Sequence, residues 1–217
     1  MCNLWSLNKT REEVRGLLRA LRDLRSNHPP TPAVFPDYEA TIVRLENGER
    51  IMQDARWGLP SPAFVLEGRK TDPGVTNVRT PSPLIGSVGL GLQIAAWCLS
   101  PALPNPRRSR MGPKPPRWFA FDETRPINCF AGIWVPQWKS VRKLKEGETV
   151  NDLFAFLTCE PNADVKPLHE KAMPVILNKP EEWDTWLKAD WAEASVLQRP
   201  LPDGSHKVVA RGNKSDG

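Results

Sequence analysis

The alternation of apolar and polar positions divides the chain into a short helical opening and a long strand-forming body. Residues 10–25, TREEVRGLLRALRDLR, carry Val14, Leu17, Leu18, Leu21 and Leu24 at helical spacing. Thr10 followed by Glu13 reads as a capping box, so the pattern predicts an amphipathic helix with a solvated, arginine-rich outer face. A proline-rich loop follows (HPPTP, then FPDY). The run ATIVRLENGERIMQDARWGLP predicts two strands joined at Asn47-Gly48, a pair that accepts the positive φ angles of a tight hairpin turn. Further along, PRWFAFDE, INCFAGIWVPQW and NDLFAFLTCEPN read as successive strands of one sheet. Glu181 to Trp191, EEWDTWLKADW, predicts a short helix with Pro180 at its start. The tail HKVVARGNKSDG is polar and is expected to fray. No internal repeat is visible.

One segment breaks the pattern. From Thr80 to Pro106 there is no charged residue of either sign, and no acidic residue lies between Asp72 and Asp122. The run LIGSVGLGLQIAAWCLSPAL is long enough to raise the question of a membrane span. Its Gly, Ser and Gln content and its flanking prolines argue against one. Gly86, Gly89 and Gly91 fit neither a GK[ST] nor a GxGxxG phosphate loop.

Composition changes the picture only modestly. A chain of 217 residues suffices for one domain with a real core. Nine Trp against a single Tyr imply a tryptophan-rich core or stacking surfaces for bases. A net charge of +5 and a pI near 9.2 favour a polyanionic partner without requiring one. Cys2, Cys98, Cys129 and Cys159 form no CxxC pair and have no histidine at metal-ligand spacing. No metal site and no cofactor are therefore expected, and a reducing, cytoplasmic compartment is. Acidic residues by position 12 and the lack of an apolar stretch at the N-terminus speak against a secretory signal.

The candidate chemistry lies at the N-terminus. Once Met1 is removed, Cys2 offers an α-amine and a thiol on one residue. An N-terminal amine has a pKa near ~8, so a useful fraction is neutral and nucleophilic at physiological pH. It can attack an aldehyde to give a Schiff base, which the thiol then closes to a five-membered thiazolidine. Position alone leaves open that Cys2 is an incidental small residue.

Beyond Cys2, the motifs MCNLWS, FPDYEATIVR, ARWGLPSP, TNVR, WFAFDETRP, FAGIW, LTCEPN and LHEKAMPVIL follow one another, with a WDTWL helix after them. In that order they resemble the SRAP (SOS response-associated peptidase) family of abasic-site processing proteins, over nearly the whole chain outside about Thr80–Met111. The resemblance implies a single α+β domain over residues 1–210, with a strongly bent, barrel-like antiparallel sheet, peripheral helices and a polar tail at 211–217. It implies that Cys2 is the nucleophile that bonds to the ring-opened abasic sugar. Asn77 would line the catalytic pocket, Arg79 would grip a flanking phosphate, and His169 would act as acid or base beside the sugar. Trp57 and Pro36 resemble apolar contacts against the bases around the lesion. Read by themselves, Trp57 suits the core, Asn77 suits a turn after Gly74, and His169 suits satisfied structure. The partner implied is single-stranded DNA bearing abasic sites, bound by a monomer in the cytoplasm or at the nucleoid. The family name also implies a second activity, cysteine peptidase or autopeptidase chemistry, and the Schiff base would allow a lyase side reaction.

The chain departs from the family between NVR and WFAFDE. There the family carries a helix with an HW-x-x-WL pattern, then a strand of RCLVP or RRLVP type, then a GF-x-E segment whose glutamate is catalytic. One allowed choice of codons for Thr80 to Pro106, read one nucleotide out of frame, gives TVTPHWQRWLGLANRRLVPVPGFAEP. That string holds all three landmarks in order, and its glutamate falls across Pro104 and Asn105. Two compensating frameshifts around Thr80 to Met111, in the gene or its sequencing, account for this. An amide at Asn105 exchanges no proton, so an inactive single-strand-binding remnant is a further reading. The expected outcome is that the nucleotide sequence, read in the alternative frame, yields the family string. Codons that do not give it would refute the frameshift.

Overall fold

The computed structural model describes residues 4–7, 9–25, 31–80, 89–99 and 117–211, the stretch 89–99 by its backbone path alone. β1 (Leu4–Leu7) leads into α1 (Arg11–Leu18), followed by β2 (Arg22–Asp23), β3 (Thr31–Val34), β4 (Glu39–Glu46) and β5 (Glu49–Trp57). A single turn of helix, α2 (Ala63–Leu66), and a two-residue strand, β6 (Asn77–Val78), precede β7 (Gly89–Leu99). Next come β8 (Arg117–Ala120), β9 (Asn128–Val141), β10 (Glu148–Cys159), β11 (Met173–Pro174) and β12 (Ile176–Leu177). The last described elements are α3 (Pro180–Lys188), α4 (Trp191–Ala194) and β13 (Lys207–Arg211). The architecture is mixed α and β, dominated by sheet, as expected. No helix among the described residues is long and apolar enough to cross a membrane.

The main path of the 13-stranded sheet runs β12-β9-β10-β5-β4-β7-β1-β3. The β4–β5 hairpin turns at Asn47 (φ 52°) and Gly48 (φ 81°), the left-handed pair its sequence predicts. The sheet is not purely antiparallel, which corrects the expectation. β10 runs parallel to β5 and to β6, and β2 runs parallel to β5. Each of these pairs is joined by a connection longer than a hairpin, which leaves the second strand free to run in the same direction. The uncharged middle of the chain contributes β7, whose backbone pairs with β1, β4, β8 and β9. Its neighbours on both edges pair with its backbone hydrogen-bonding groups.

Three helix and tail boundaries differ from the sequence pattern. The opening helix forms its capping box at Thr10 and Glu13 but ends at Leu18, not near residue 25. Arg19 adopts a left-handed conformation (φ 50°), and the next amides leave the helix for the edge of β5. Leu21 N–H donates to the Arg50 carbonyl and Leu24 N–H to that of Met52. Only Val14 and Leu18 of the leucine-rich stripe are buried, while Leu21 stands 63% exposed. At the other end, α3 begins with Pro180 as expected but stops at Lys188. Asp190 then caps a separate turn, α4, by accepting from the Glu193 amide. The expected frayed tail is a strand over Lys207–Arg211, held by β8. Residues 212–217 lie outside the described part.

Tryptophan builds the core. Trp5, Trp57, Trp118, Trp183 and Trp186 are all buried. The indole N–H of Trp186 donates to the Gly132 carbonyl and that of Trp183 to the Leu177 carbonyl, so α3 is tied to the sheet by polar as well as apolar contact. Trp186→Ala is expected to cost about 3–5 kcal/mol, read as a lowered midpoint in urea denaturation. His206 is buried against Phe121, with ring centroids 5.0 Å apart. Burial pushes its pKa down to about 4, against the weaker opposing charge of Asp164. The unfolded chain, with a histidine near 6.5, then binds the proton more readily. Stability from this group is complete above pH 6.5 and is lost as pH falls toward 4. His206→Phe, which keeps a ring there, should make the fall of Tm over that range shallower; an unchanged slope would assign the acid sensitivity elsewhere.

Candidate active site

β10 gives the site its frame. One edge of β10 carries β9 and then β11, with Thr158 opposite Pro174. The other edge carries the end of β5 and then β6, with Phe154 beside Trp57 and Phe156 beside Asn77. The C-terminal end of β10 is therefore flanked by β6 on one side and β11 on the other.

Trp57 prepares the β6 side. Its ring is only 1% exposed, stacked on Phe154 (16° between planes) and tilted on Phe156, with centroids 5.2 Å apart in the second pair. Its indole N–H donates to the Thr76 carbonyl at 2.9 Å. The ring is thus a floor beneath Thr76 and Asn77 and faces the core. Asn77 follows, its Nδ2 donating to Thr76 Oγ1 at 2.8 Å. The half-buried Pro36 sits in a turn above the end of β5. Asp37 N–H donates to the Trp57 carbonyl and Trp57 N–H to the Tyr38 carbonyl, which fixes that turn on the tryptophan backbone.

Arg79 connects the two sides. Its Nη1 donates to the Lys171 carbonyl at 2.9 Å, and its guanidinium pairs with Glu160. Gln198 Nε2 donates to the carbonyls of Arg79 (2.7 Å) and Thr158 (2.9 Å), bridging the chain to β10 where β6 ends. His169 lies two residues before Lys171, in the loop that leads into β11, and is 8% exposed. Its Nδ1 accepts from the Ala172 amide at 3.3 Å, which requires that nitrogen to be unprotonated. Burial lowers its pKa below the ordinary 6.5, and the positive charge of the amino terminus lowers it further. The histidine is therefore neutral at pH 7 and able to accept a proton.

The structure thus brings Arg79 to the loop that holds His169, and places Asn77 on the same strand end. Trp57 holds the Thr76 carbonyl beside Asn77, and Pro36 lies in the turn whose Asp37 and Tyr38 bond the Trp57 backbone. Cys2 lies outside the described residues, as do Pro104 and Asn105, where the family glutamate would fall. Glu160 and Lys171 stood within recognised motifs without being singled out, and Gln198 carried no sequence signal. Of the other cysteines, Cys129 and Cys159 are buried, and burial pushes the Cys159 thiol up to about 12, too high for a nucleophile at neutral pH.

Residues 106–211 match the family model for SOS response associated peptidase (SRAP). Over that stretch the chain is similar to the SRAP family. The matched region contains β8 to β13 and His169, Glu160, Lys171 and Gln198. No curated protein matches the chain. Solved structures resemble it along nearly its whole length. A protein from Bordetella bronchiseptica matches with a TM-score of 0.64 at 20% identity, covering 95% of this chain and 97% of its own. A protein from Bacteroides thetaiotaomicron matches at TM-score 0.65 and 19% identity, covering 95% of this chain and 90% of its own. A phage-related protein of Bordetella bronchiseptica gives 0.65 and 20%, with 95% and 92% covered. At these identities the likeness is one of fold. It covers 95% of the chain.

A histidine NMR titration should place the His169 midpoint below 6.5. A midpoint above that value would show that the ring is not held neutral by its surroundings.

Proposed function

We propose that this SRAP-like chain captures abasic sites in single-stranded DNA through Cys2 after removal of Met1. The Cys2 amine attacks the C1′ aldehyde of the ring-opened sugar and water leaves, giving a Schiff base. The Cys2 thiol then adds across the C=N bond, its proton passing to nitrogen, and a thiazolidine crosslink results. No oxidant or cofactor is needed. The neutral His169 serves as the acid or base beside the sugar, Arg79 grips a flanking phosphate through its planar guanidinium, and Asn77 positions the aldehyde or the amine. Trp57 supports the site from beneath, and Pro36 offers an apolar contact near the DNA.

The observation that carries this reading is the packing of Trp5 on Trp57, edge to face with ring centroids 6.4 Å apart. Trp57 holds Thr76, and Thr76 adjoins Asn77. Two residues lie between Cys2 and Trp5, and the three steps of an extended chain span at most about 11 Å. A nucleophile at position 2 is thereby kept within that reach of the Trp5–Trp57 pair, which supports the reading. The reading includes a bent, barrel-like sheet; the pairing of β7 with both β4 and β9, strands also linked through β5 and β10, supports it.

A second reading, an inactive single-strand-binding remnant, is favoured by one fact: no acidic residue lies between Asp72 and Asp122 to supply the family's proton-transfer group. General acid–base groups contribute about 10²–10⁴-fold to rate, so slow crosslinking is expected. The peptidase reading would use the Cys2 thiolate against a carbonyl with His169 as base.

The Met1-processed protein, incubated with single-stranded DNA carrying an abasic site, should give a heat-stable adduct on a denaturing gel. Cys2→Ser retains the amine and loses ring closure, so its adduct should be heat-labile; a stable one would sink the thiazolidine mechanism. Binding without adduct would favour the remnant, and cleavage of a peptide without DNA the peptidase.

A further inference from the structure

Behind the candidate site lies a buried charge that the proposed chemistry does not use. Arg142 follows β9, and its side chain is 2% exposed. Its Nη2 donates to the Gly58 carbonyl, and its Nη1 lies 3.8 Å from Asp72 Oδ1. Asp72 in turn accepts from the amides of Ser61 (3.3 Å) and Gly74 (2.8 Å), while its own amide donates to the Val141 carbonyl at 2.8 Å. The guanidinium lies between two glycines. A Cβ on Gly74 (φ +74°) would overlap Arg142 Nη1 and come within 3.2 Å of Gly58 Cα; one on Gly58 (φ +141°) would be 3.3 Å from Nη1. The segments so joined are the chain leaving Trp57 and the chain entering Asn77. Leu59 and Val75 exchange both backbone hydrogen bonds, at 2.9 and 2.8 Å, directly beside this slot.

We propose that Arg142 is a positioning residue for the Asn77–Arg79 strand: pinned against Asp72 and inserted between Gly58 and Gly74, its guanidinium sets where that strand leaves the loop, and so where Asn77 and Arg79 stand relative to His169. A flat, forked cation fits a slot bounded by two Cα atoms while reaching a carbonyl on one side and a carboxylate on the other. A lysine offers one rotating ammonium and cannot hold both. The shared position of Trp57 and Asn77 on β10 is fixed by short parallel pairings, which leaves the intervening loop to the clamp. The role in capture rests on the abasic-site reading, whereas the positioning itself does not.

The test uses the full chain with two substitutions, Arg142→Lys and the milder Asp72→Asn, which removes the charge beside Nη1 but keeps a carboxamide oxygen for Gly74. Hydrogen exchange is followed at the Leu59 and Val75 amides, with the Ala155 and Ile133 amides of the β9–β10 ladder as controls. Protection at Leu59 and Val75 should fall at least tenfold more than at the controls. In adduct formation with abasic single-stranded DNA, the rate at saturating DNA per folded molecule should fall about 10- to 100-fold, as expected when a group is displaced by about 1 Å. A residue that merely stabilises the fold would lower Tm and all protection together and leave the rate of folded molecules unchanged. That outcome overturns the proposal, as does local loss of protection with an unchanged rate. If Arg142→Lys does not fold, Asp72→Asn decides by the same criteria. A wild-type protein that forms no adduct refutes the abasic-site reading, and the exchange pattern still decides whether Arg142 positions the strand.

Discussion

The backbone of β10 is hydrogen-bonded along both edges, antiparallel to β9 and parallel to β5 and β6, and this double use fixes everything near the candidate site. A strand flanked on both sides has few solvent-facing polar groups, so its residues can be apolar on both faces. LFAFLTC, Leu153 to Cys159, is buried throughout. Where β9 and β5 run out, β11 and β6 take over the two edges. The carbonyl of Thr158 is met by Gln198. Strand pairing sets Asn77 against Phe156 of β10, with Trp57 holding the adjoining Thr76 carbonyl.

The electrostatics follow from that placement. His169 is kept neutral by burial first and by positive charge second, the environment a proton acceptor requires at pH 7. Arg79 is half exposed, paired with Glu160 and the Lys171 carbonyl. Arg142 shows the opposite regime. Its charge is enclosed, its partners are all from the protein, and two glycines are shaped around it. One arginine is open to solvent and the other is enclosed.

The uncharged run from Thr80 to Pro106 has separate structural and chemical consequences. As backbone it supplies β7, with partners on both edges, because strand pairing makes no demand on side-chain charge. As chemistry it offers no carboxyl group, and backbone pairing cannot replace one. A strand of the sheet can thus be kept where the same run supplies no acidic side chain.

The sequence by itself determined the Asn47-Gly48 hairpin, the capping box at Thr10, the strands β8, β9 and β10 and the start of α3 at Pro180. These depend on neighbouring residues, so local pattern suffices to specify them. Motif order also singled out Asn77, Arg79 and His169, whose convergence at one end of β10 then appeared in the fold. Only the tertiary structure decided where the opening helix stops, because Leu21 and Leu24 give their amides to β5, a partner distant in sequence. It likewise turned the polar tail into β13, made Trp57 a floor, and disclosed Gln198 and Arg142. Those roles arise from hydrogen bonds and close contacts across long separations in the chain, which no periodicity of apolar and polar residues encodes.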